Sequence, residues 1–227
     1  MEATEANIRP VSRTAGHRLE AVDVECTRGD RRLISHLSFG LDSSTLLHVR
    51  GPNGCGKTTL LRAMCGLFEP QEGEIRWNGE SIRSLGDEFR KDVLYLGHLN
   101  GIKNELTALE NLRIEATLDG DKVDEDQVWY ALKQIGLAGF EDLPTKVLSQ
   151  GQKKRVALSR LLLSNAPLWI LDEPFVGLDV NAVDMLQGLI ADHVDGGGMA
   201  VITTHQAVAL TSGQTQVLDL GRKRSDV

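Results

Sequence analysis

Apolar positions along the chain follow two different periods, which predicts strands that alternate with helices. Short apolar or alternating runs predict strands at 19–41, 45–50, 73–82, 92–99, 168–174 and 199–205. Runs with apolar residues three or four apart predict helices at 60–68, 106–118, 127–137, 148–165 and 181–193. Strands alternating with helices are typical of a parallel sheet flanked by helices, so we predict an α/β fold.

The helical pattern is uninterrupted between about residues 98 and 163, which predicts a helical lobe inserted into the α/β core. Residues 19–41 bracket the charged turn TRGDRR and predict antiparallel strands, and Asn78-Gly79 predicts a hairpin turn. We expect a single domain over residues 18–227, preceded by a disordered tail at 1–17, which is polar and aperiodic.

Two helix starts carry the pattern of a capping box. Thr107 is followed three residues later by Glu110, and Ser149 by Gln152. A helix start presents free backbone N–H groups and a partial positive charge, which suits it to bind an anion. The stretch LSQGQKKRVALSR at 148–160 therefore raises the question of which anion it meets, since the obvious phosphate site lies far upstream.

Composition restricts the class of protein. The 227 residues are 41% apolar and 25% charged, as in ordinary globular domains, and the net charge of −7 argues against a nucleic-acid partner. Three cysteines without metal-type spacing favour a reducing compartment. No apolar run is long enough to span a bilayer, so work at a membrane requires another subunit.

Residues 51–59, GPNGCGKTT, match the phosphate-binding pattern G-x-x-x-x-G-K-[ST] between a predicted strand and a predicted helix. We expect Lys57 to reach the β- and γ-phosphates of a nucleotide and the Thr58 hydroxyl to bind Mg²⁺. The other candidate phosphate contacts are Gly51, Pro52, Asn53, Gly54, Cys55, Gly56 and Thr59. A glycine-rich turn that matches by chance is the alternative, as is a redox role for Cys55.

Two carboxylates end the apolar run LWILDEP at 168–174. An unpaired charge at the tip of a buried strand is costly, so a function is expected there. We predict that Asp172 holds Mg²⁺ and that Glu173 polarises the attacking water as general base. The alternative is a pair of acids that cap the following helix.

His205 ends the apolar run MAVITTH, at the edge where open α/β sheets hold their ligands. Its position favours contact with the γ-phosphate and the attacking water, although a lone histidine at a strand tip is more often structural.

The phosphate loop, LSQGQ, LWILDEP and His205, in this order, resemble the nucleotide-binding subunit of ABC transporters from about residue 18 to the end. The resemblance implies a P-loop NTPase cassette with a RecA-like core sheet, an antiparallel β subdomain and a helical lobe. It also implies an ATP-dependent dimer in which Ser149, Gly151 and Gln152 contact the nucleotide of the other copy and Asp179 crosses the seam.

Three positions depart from the family pattern. Gln150 replaces the glycine that is usual at the third position of the signature. His98 stands where most members carry a glutamine that senses Mg²⁺ and the membrane subunit, and an ordinary loop residue is the alternative. Arg28 stands where an aromatic ring stacks on adenine; a guanidinium can stack there, or it can be a solvated charge of the hairpin.

Stretches 97–112, 136–144, 168–183 and 203–206 resemble the ABC ATPases of cytochrome c maturation more closely than the family at large. That resemblance implies an ATPase that powers haem export or release of the haem chaperone at the cytoplasmic face of the bacterial inner membrane. The implied partners are a second copy, a multi-span transmembrane subunit and haem-handling membrane proteins. A soluble ATPase for cofactor assembly, an ATPase for another exported substrate and a regulatory module that uses ATP only as a dimer switch are the alternatives.

Overall fold

The computed structural model describes residues 16–29, 31–120, 122–204 and 213–221. His205 lies outside these ranges, as do residues 1–15 of the predicted tail. In the described part the strands form two sheets, one antiparallel and one parallel.

The strands are β1 Arg18–Arg28, β2 Arg31–Asp42, β3 Thr45–Arg50, β4 Glu72–Trp77, β5 Glu80–Ser81, β6 Val93–Leu96, β7 Leu168–Asp172, β8 Met199–Thr203 and β9 Gln214–Asp219. The helices are α1 Lys57–Met64, α2 Ile82–Leu85, α3 Asp87–Lys91, α4 Ala108–Asp119, α5 Glu125–Gln134, α6 Gln150–Leu158, α7 Arg160–Leu163 and α8 Val180–Asp195. A short 3₁₀ turn at Thr145–Val147 precedes α6. The predicted alternation of strands and helices, with a helical block between β6 and β7, is confirmed.

The antiparallel sheet has the strand order β2-β1-β4-β5. The predicted hairpin is formed by β4 and β5, and both turn residues have positive φ, Asn78 at 53° and Gly79 at 87°. Positive φ at both central positions is what a type I′ turn requires, and Asn-Gly meets that requirement at little cost. This sheet covers one face of the core.

The parallel sheet has the strand order β6-β7-β8-β3-β9. Side chains of its central strands alternate between two apolar clusters. Leu168 and Ile170 pack with α1 and the antiparallel sheet, whereas Trp169 and Leu171 pack with the helical lobe and α8. Burial on both faces explains why these strands are apolar throughout. Because the strands pair in parallel, the carboxyl ends of β3, β7 and β8 lie at one edge.

Helix α1 ends at Met64, four residues before the predicted end at 68. The reason is a glycine: Gly66 has φ 70°, its N–H donates to the Ala63 carbonyl, and the Leu67 N–H donates to the Arg62 carbonyl. These two bonds form a Schellman motif, which ends a helix at a left-handed glycine. The prediction that Glu69-Pro70 ends the helix was therefore wrong.

Strand β9 was not predicted, because only Val217 and Leu218 interrupt its polar pattern and its pairing with β3 is remote in sequence. No helix in the described ranges is both long and apolar enough to cross a bilayer.

Candidate nucleotide-binding site

The phosphate loop connects β3 to α1 at the carboxyl edge of the parallel sheet. Gly56 precedes α1 with φ 111°, and no described side chain caps the helix start. Backbone N–H groups of the first turn therefore remain available for an anion. A Cβ atom on Gly51 would lie 2.6 Å from the Cys55 sulfur, so a side chain at position 51 would not fit the loop as folded.

Lys57 lies within the loop and is 9% exposed. Its Nζ donates to the Gly51 carbonyl at 2.8 Å and to the Pro52 carbonyl at 3.3 Å. The Lys57 ammonium is thus held over the loop. If phosphate oxygens replaced these carbonyls as its acceptors, its positive charge would lie against the nucleotide.

A chain of hydrogen bonds joins the loop to the two neighbouring strand ends. The Thr58 hydroxyl donates to Asp172 Oδ2 at 2.7 Å, and the Thr203 hydroxyl donates to Asp172 Oδ1 at 2.6 Å. The Glu173 N–H donates to the Thr203 hydroxyl oxygen at 2.9 Å. Asp172 is 2% exposed, so its carboxylate is buried and has both oxygens bonded.

Glu173 has φ 52°, in the left-handed region that non-glycine residues rarely adopt. Such backbone strain costs on the order of 1–3 kcal/mol and concentrates at functional sites. The bond to Thr203 helps to fix this conformation.

A cavity of about 430 Å³ lies between the phosphate loop, the hairpin of β1 and β2, and the end of β7. Its lining residues are Arg28, Arg31, Leu33, Asn53, Gly54, Gly56, Lys57, Thr58, Thr59, His98, Asp172 and Glu173. Arg28 and His98, the two positions where the family pattern is broken, therefore face the same cavity as the phosphate loop. Gly51, Pro52 and Cys55 belong to the loop but not to the lining.

The donor set of Thr58 and Asp172 in this cavity fits Mg²⁺. Thr58 and Asp172 supply a hydroxyl and a carboxylate in direct contact, and hard oxygen ligands are those that Mg²⁺ prefers. Cationic Arg28, Arg31 and Lys57 also line the cavity, which suits the negative charge of a triphosphate.

The predicted capping box at the start of α6 is present: the Gln152 N–H donates to Ser149 Oγ at 3.2 Å, and the Ser149 N–H donates to Gln152 Oε1 at 2.9 Å. Among the described residues that line the cavity, none comes from α6. Ser149, Gly151 and Gln152 are thus not brought together with the phosphate loop of their own chain. Gln150 forms the first residue of the helix.

Asp179 caps α8 by accepting a hydrogen bond from the Ala182 N–H at 2.9 Å, and it forms an ion pair with Arg155 of α6. The bond from Ala182 lowers the pKa of the Asp179 carboxyl, and Arg155 lowers it further. Asp179 therefore has partners within its own chain, Ala182 and Arg155, while its side chain is also exposed to solvent.

Sequence reasoning missed Thr203 and Arg31. Thr203 precedes His205 by two positions at the end of β8, so the strand-end argument could have included it. Arg31 carried no such signal, because only the folded hairpin brings it to the cavity.

The ABC transporter family model matches residues 34–176. The chain belongs to the ABC transporter family. Members of this family are ATPases, so ATP is the nucleotide that the cassette binds and hydrolyses.

Comparison with individual proteins points to one group of cassettes. The cytochrome c biogenesis ATP-binding export protein CcmA of Dechloromonas aromatica is 57% identical over 203 residues, covering 89% of this chain and 100% of the relative. An ATP-binding subunit of an ABC transporter superposes with a TM-score of 0.79 at 27% identity, covering 91% of this chain and 88% of the other. A dimeric cassette solved in a post-hydrolysis state with ADP and Pi has a TM-score of 0.76 at 22% identity, over 89% of this chain and 95% of the other. At that identity the third likeness concerns the fold alone.

Proposed function

We propose that this chain is the Mg²⁺-dependent ATP-hydrolysing subunit of a membrane complex for cytochrome c maturation. The observation that carries the proposal is the bonded set Thr58, Asp172, Thr203 and Glu173 at one end of the phosphate-loop cavity. A nucleotide-binding module without turnover has no need for a second carboxylate held in a strained conformation beside that set.

Each residue has a distinct part in this proposal. Lys57 exchanges its loop carbonyls for the β- and γ-phosphate oxygens, and the N–H groups at the start of α1 bind the remaining phosphate oxygens. Thr58 and Asp172 hold Mg²⁺, which neutralises charge on the phosphates when bound. Glu173 orients the attacking water and accepts its proton. His205, outside the described residues, is assigned to the γ-phosphate from the sequence alone.

A second copy of the chain completes the site. Ser149, Gly151 and Gln152 lie outside the cavity of their own chain, while the start of α6 is a capped helix end suited to phosphate. We therefore place them on the γ-phosphate held by the partner, with Asp179 at the seam. A solved cassette of similar fold is dimeric, which supports the proposal of a second copy.

The physiological role rests on the CcmA relatives, whose name describes cytochrome c biogenesis and export. We assign the chain to haem export or to release of the haem chaperone, docked by a multi-span subunit and haem-handling proteins at the cytoplasmic face of the inner membrane. The alternatives are an ATPase for another exported substrate and a soluble assembly ATPase. The affinity capture described below distinguishes them by the proteins that are recovered.

The catalytic part is tested with Glu173→Gln and Lys57→Ala in the purified full-length chain. Glu173→Gln should bind ATP with near-normal affinity and lose on the order of 100-fold or more in turnover, because the water is no longer polarised. Lys57→Ala should weaken ATP binding itself, since it removes a charge from the phosphates. Glu105→Gln, which changes an exposed carboxylate outside the cavity lining, is the matched control. Wild-type turnover in Glu173→Gln would remove that residue from its role.

The partner assignment is tested by affinity capture of tagged Glu173→Gln from mildly solubilised membranes with ATP and Mg²⁺. We expect a multi-span protein and haem-handling proteins in the eluate, identified by mass spectrometry. Recovery of soluble assembly proteins alone would overturn the membrane role while leaving the ATPase intact.

A further inference from the structure

The chain just before the start of α6 is hydrogen-bonded to the loop between β6 and α4. The Lys146 N–H donates to the Asn104 carbonyl at 2.9 Å, and the Thr145 N–H donates to the Leu106 carbonyl at 2.8 Å. Both bonds join backbone groups, so substitutions that change only side chains leave these donors and acceptors in place.

Asn104 also reaches the other side of the helix start. The Lys153 Nζ donates to Asn104 Oδ1 at 2.9 Å, and an ammonium donor makes such a bond stronger than one between neutral groups. Asn104 therefore bonds to a residue before Ser149 and to a residue after Gln152, the two residues of the capping box. One residue of the loop thus holds the helix start from both flanks.

The start of α6 has no apolar side chain to fix its position. Leu148 before it and Val156 within the helix belong to the buried cluster of the lobe, whereas the residues between them are all polar or glycine. Ser149 and Gln150 are exposed, and residues 151–153 are half-buried. Because a helix turn is held on a core chiefly by its apolar face, the orientation of this turn depends more on the polar contacts at its flanks.

We propose that Asn104 is a positioning residue, which holds the start of α6 where it serves the ATP bound to the partner copy. This inference rests on the proposed function, in which Ser149, Gly151 and Gln152 contact that ATP. Misplacement of a positioning group by about 1 Å can cost on the order of 100-fold in rate. Loss of the bond between Lys153 and Asn104 displaces the turn less than that, because the backbone bonds stay. The expected defect is therefore modest, and it falls in the site of the partner.

The bond is tested with variants of the purified full-length chain. Lys153→Met removes the donor and Asn104→Ala removes the acceptor. We expect each variant to lose about 3-fold or more in kcat, while the affinity for ATP of the dilute, monomeric chain is unchanged. The double variant should be no slower than either single variant, because both substitutions break the same bond.

Two further variants separate this bond from general effects on the loop. Lys153→Arg keeps a cationic donor and should recover most of the lost turnover. Lys146→Met is the matched control, because it breaks an exposed ion pair with Glu105 of the same loop but leaves the Lys146 N–H in place. It should match the wild type.

A mixture with excess Glu173→Gln shows in which site the defect falls. When the chains are mixed before ATP is added, nearly every tested chain pairs with a Glu173→Gln copy. The active site of such a pair then combines the phosphate loop of the tested chain with the α6 start of the Glu173→Gln copy. Lys153→Met chains should therefore turn over at the same rate as wild-type chains in the same excess, because their own α6 faces the inactive site.

Three results would overturn the inference. One is a defect of Lys153→Met that persists in excess Glu173→Gln, because the bond would then act on the site of its own chain. Another is a double variant whose loss is the product of the two single losses. The third is wild-type turnover in both Lys153→Met and Asn104→Ala while Glu173→Gln is inactive, in which case the proposed function stands. If Glu173→Gln turns over at the wild-type rate, the proposed function fails instead.

Discussion

Thr203 shows how one side chain can organise two residues for which different tasks are proposed. Its hydroxyl donates to Asp172 and accepts from the Glu173 N–H, so its single proton and its lone pairs are both used. It is fully buried, which keeps water from competing for these bonds. The Asp172 carboxylate and the strained backbone of Glu173 are therefore fixed by the same oxygen atom.

His48, one strand away, should make stability depend on pH. Its Nε2 bonds the Thr204 carbonyl at 3.3 Å, and Arg50 Nε donates to its Nδ1 at 3.2 Å, which is the pattern of a neutral ring with the proton on Nε2. Burial lowers the pKa of His48 below 6.5, Arg50 adds to that effect, and the bond to Thr204 opposes it. The unfolded chain then binds the proton more readily than the folded one. The contribution to the free energy of unfolding is present above pH 6.5 and is lost as pH falls through the folded pKa.

Urea unfolding at several pH values between about 7.5 and 5 measures this effect, since linear extrapolation gives the free energy of unfolding at each pH. The wild type should lose more stability on acidification than His48→Gln, whose amide can still donate to the Thr204 carbonyl. His36→Gln provides a control of opposite sign, because hydrogen bonding to Asp23 raises the pKa of His36 and its contribution is lost as pH rises. Parallel pH profiles for the wild type and His48→Gln would contradict the argument.

At the scale of elements, Asn111 of α4 fastens the loop that follows His98. The Lys103 N–H donates to Asn111 Oδ1 at 2.8 Å, and Asn111 Nδ2 donates to the carbonyls of Lys103, Leu106 and Thr107 at 3.1, 3.3 and 2.9 Å. The Thr145 hydroxyl donates to the same Lys103 carbonyl at 2.9 Å. The loop between β6 and α4 is thus tied to the helical lobe by an amide that is 3% exposed.

Asn111→Leu keeps the volume of the side chain but removes these bonds and leaves buried backbone groups unpaired. We expect a loss of about 2–4 kcal/mol in the free energy of unfolding, together with faster amide exchange in the 99–107 loop. Asn104→Ala, an exposed change in the same loop, should stay within about 0.5 kcal/mol of the wild type. Equal stability of the two variants would show that the loop is held by other contacts.

What the sequence predicted at this scale was local. The capping boxes at Thr107 and Ser149 and the Asn78-Gly79 turn involve residues no more than three apart, so pattern alone revealed them. A third capping box, Asp124 with Gln127, has an acid as its first residue and was overlooked. Asn111, β9 and the cavity position of Arg31 depend on partners distant in sequence, for which one sequence carries no direct signal.

At the scale of the whole molecule, two separate apolar clusters support the parts of the site. The apolar cluster under α1 supports the phosphate loop, while the second cluster joins the helical lobe and α8 to the other face of the parallel sheet. The start of α6 is absent from the described lining of the cavity, so in the proposed function one copy of the cassette presents two half-sites. A head-to-tail pair would complete both.

Mixing two inactive variants tests this arrangement, because in a head-to-tail dimer their defects fall into the same site. Glu173→Gln inactivates the site that contains the phosphate loop of the same copy. Ser149→Arg inactivates the site that contains the phosphate loop of the partner copy. A mixed dimer with one copy of each therefore keeps one site in which both residues are native. Random pairing should restore about a quarter of wild-type turnover, since half of the dimers are mixed and each has one intact site. The measurement is ATP hydrolysis by an equimolar mixture of the two variants. The controls are each variant alone, including Glu173→Gln at twice the concentration so that the total protein equals that of the mixture. If the signature helix acted within its own chain, each copy would keep its defect and the mixture would stay as inactive as its components.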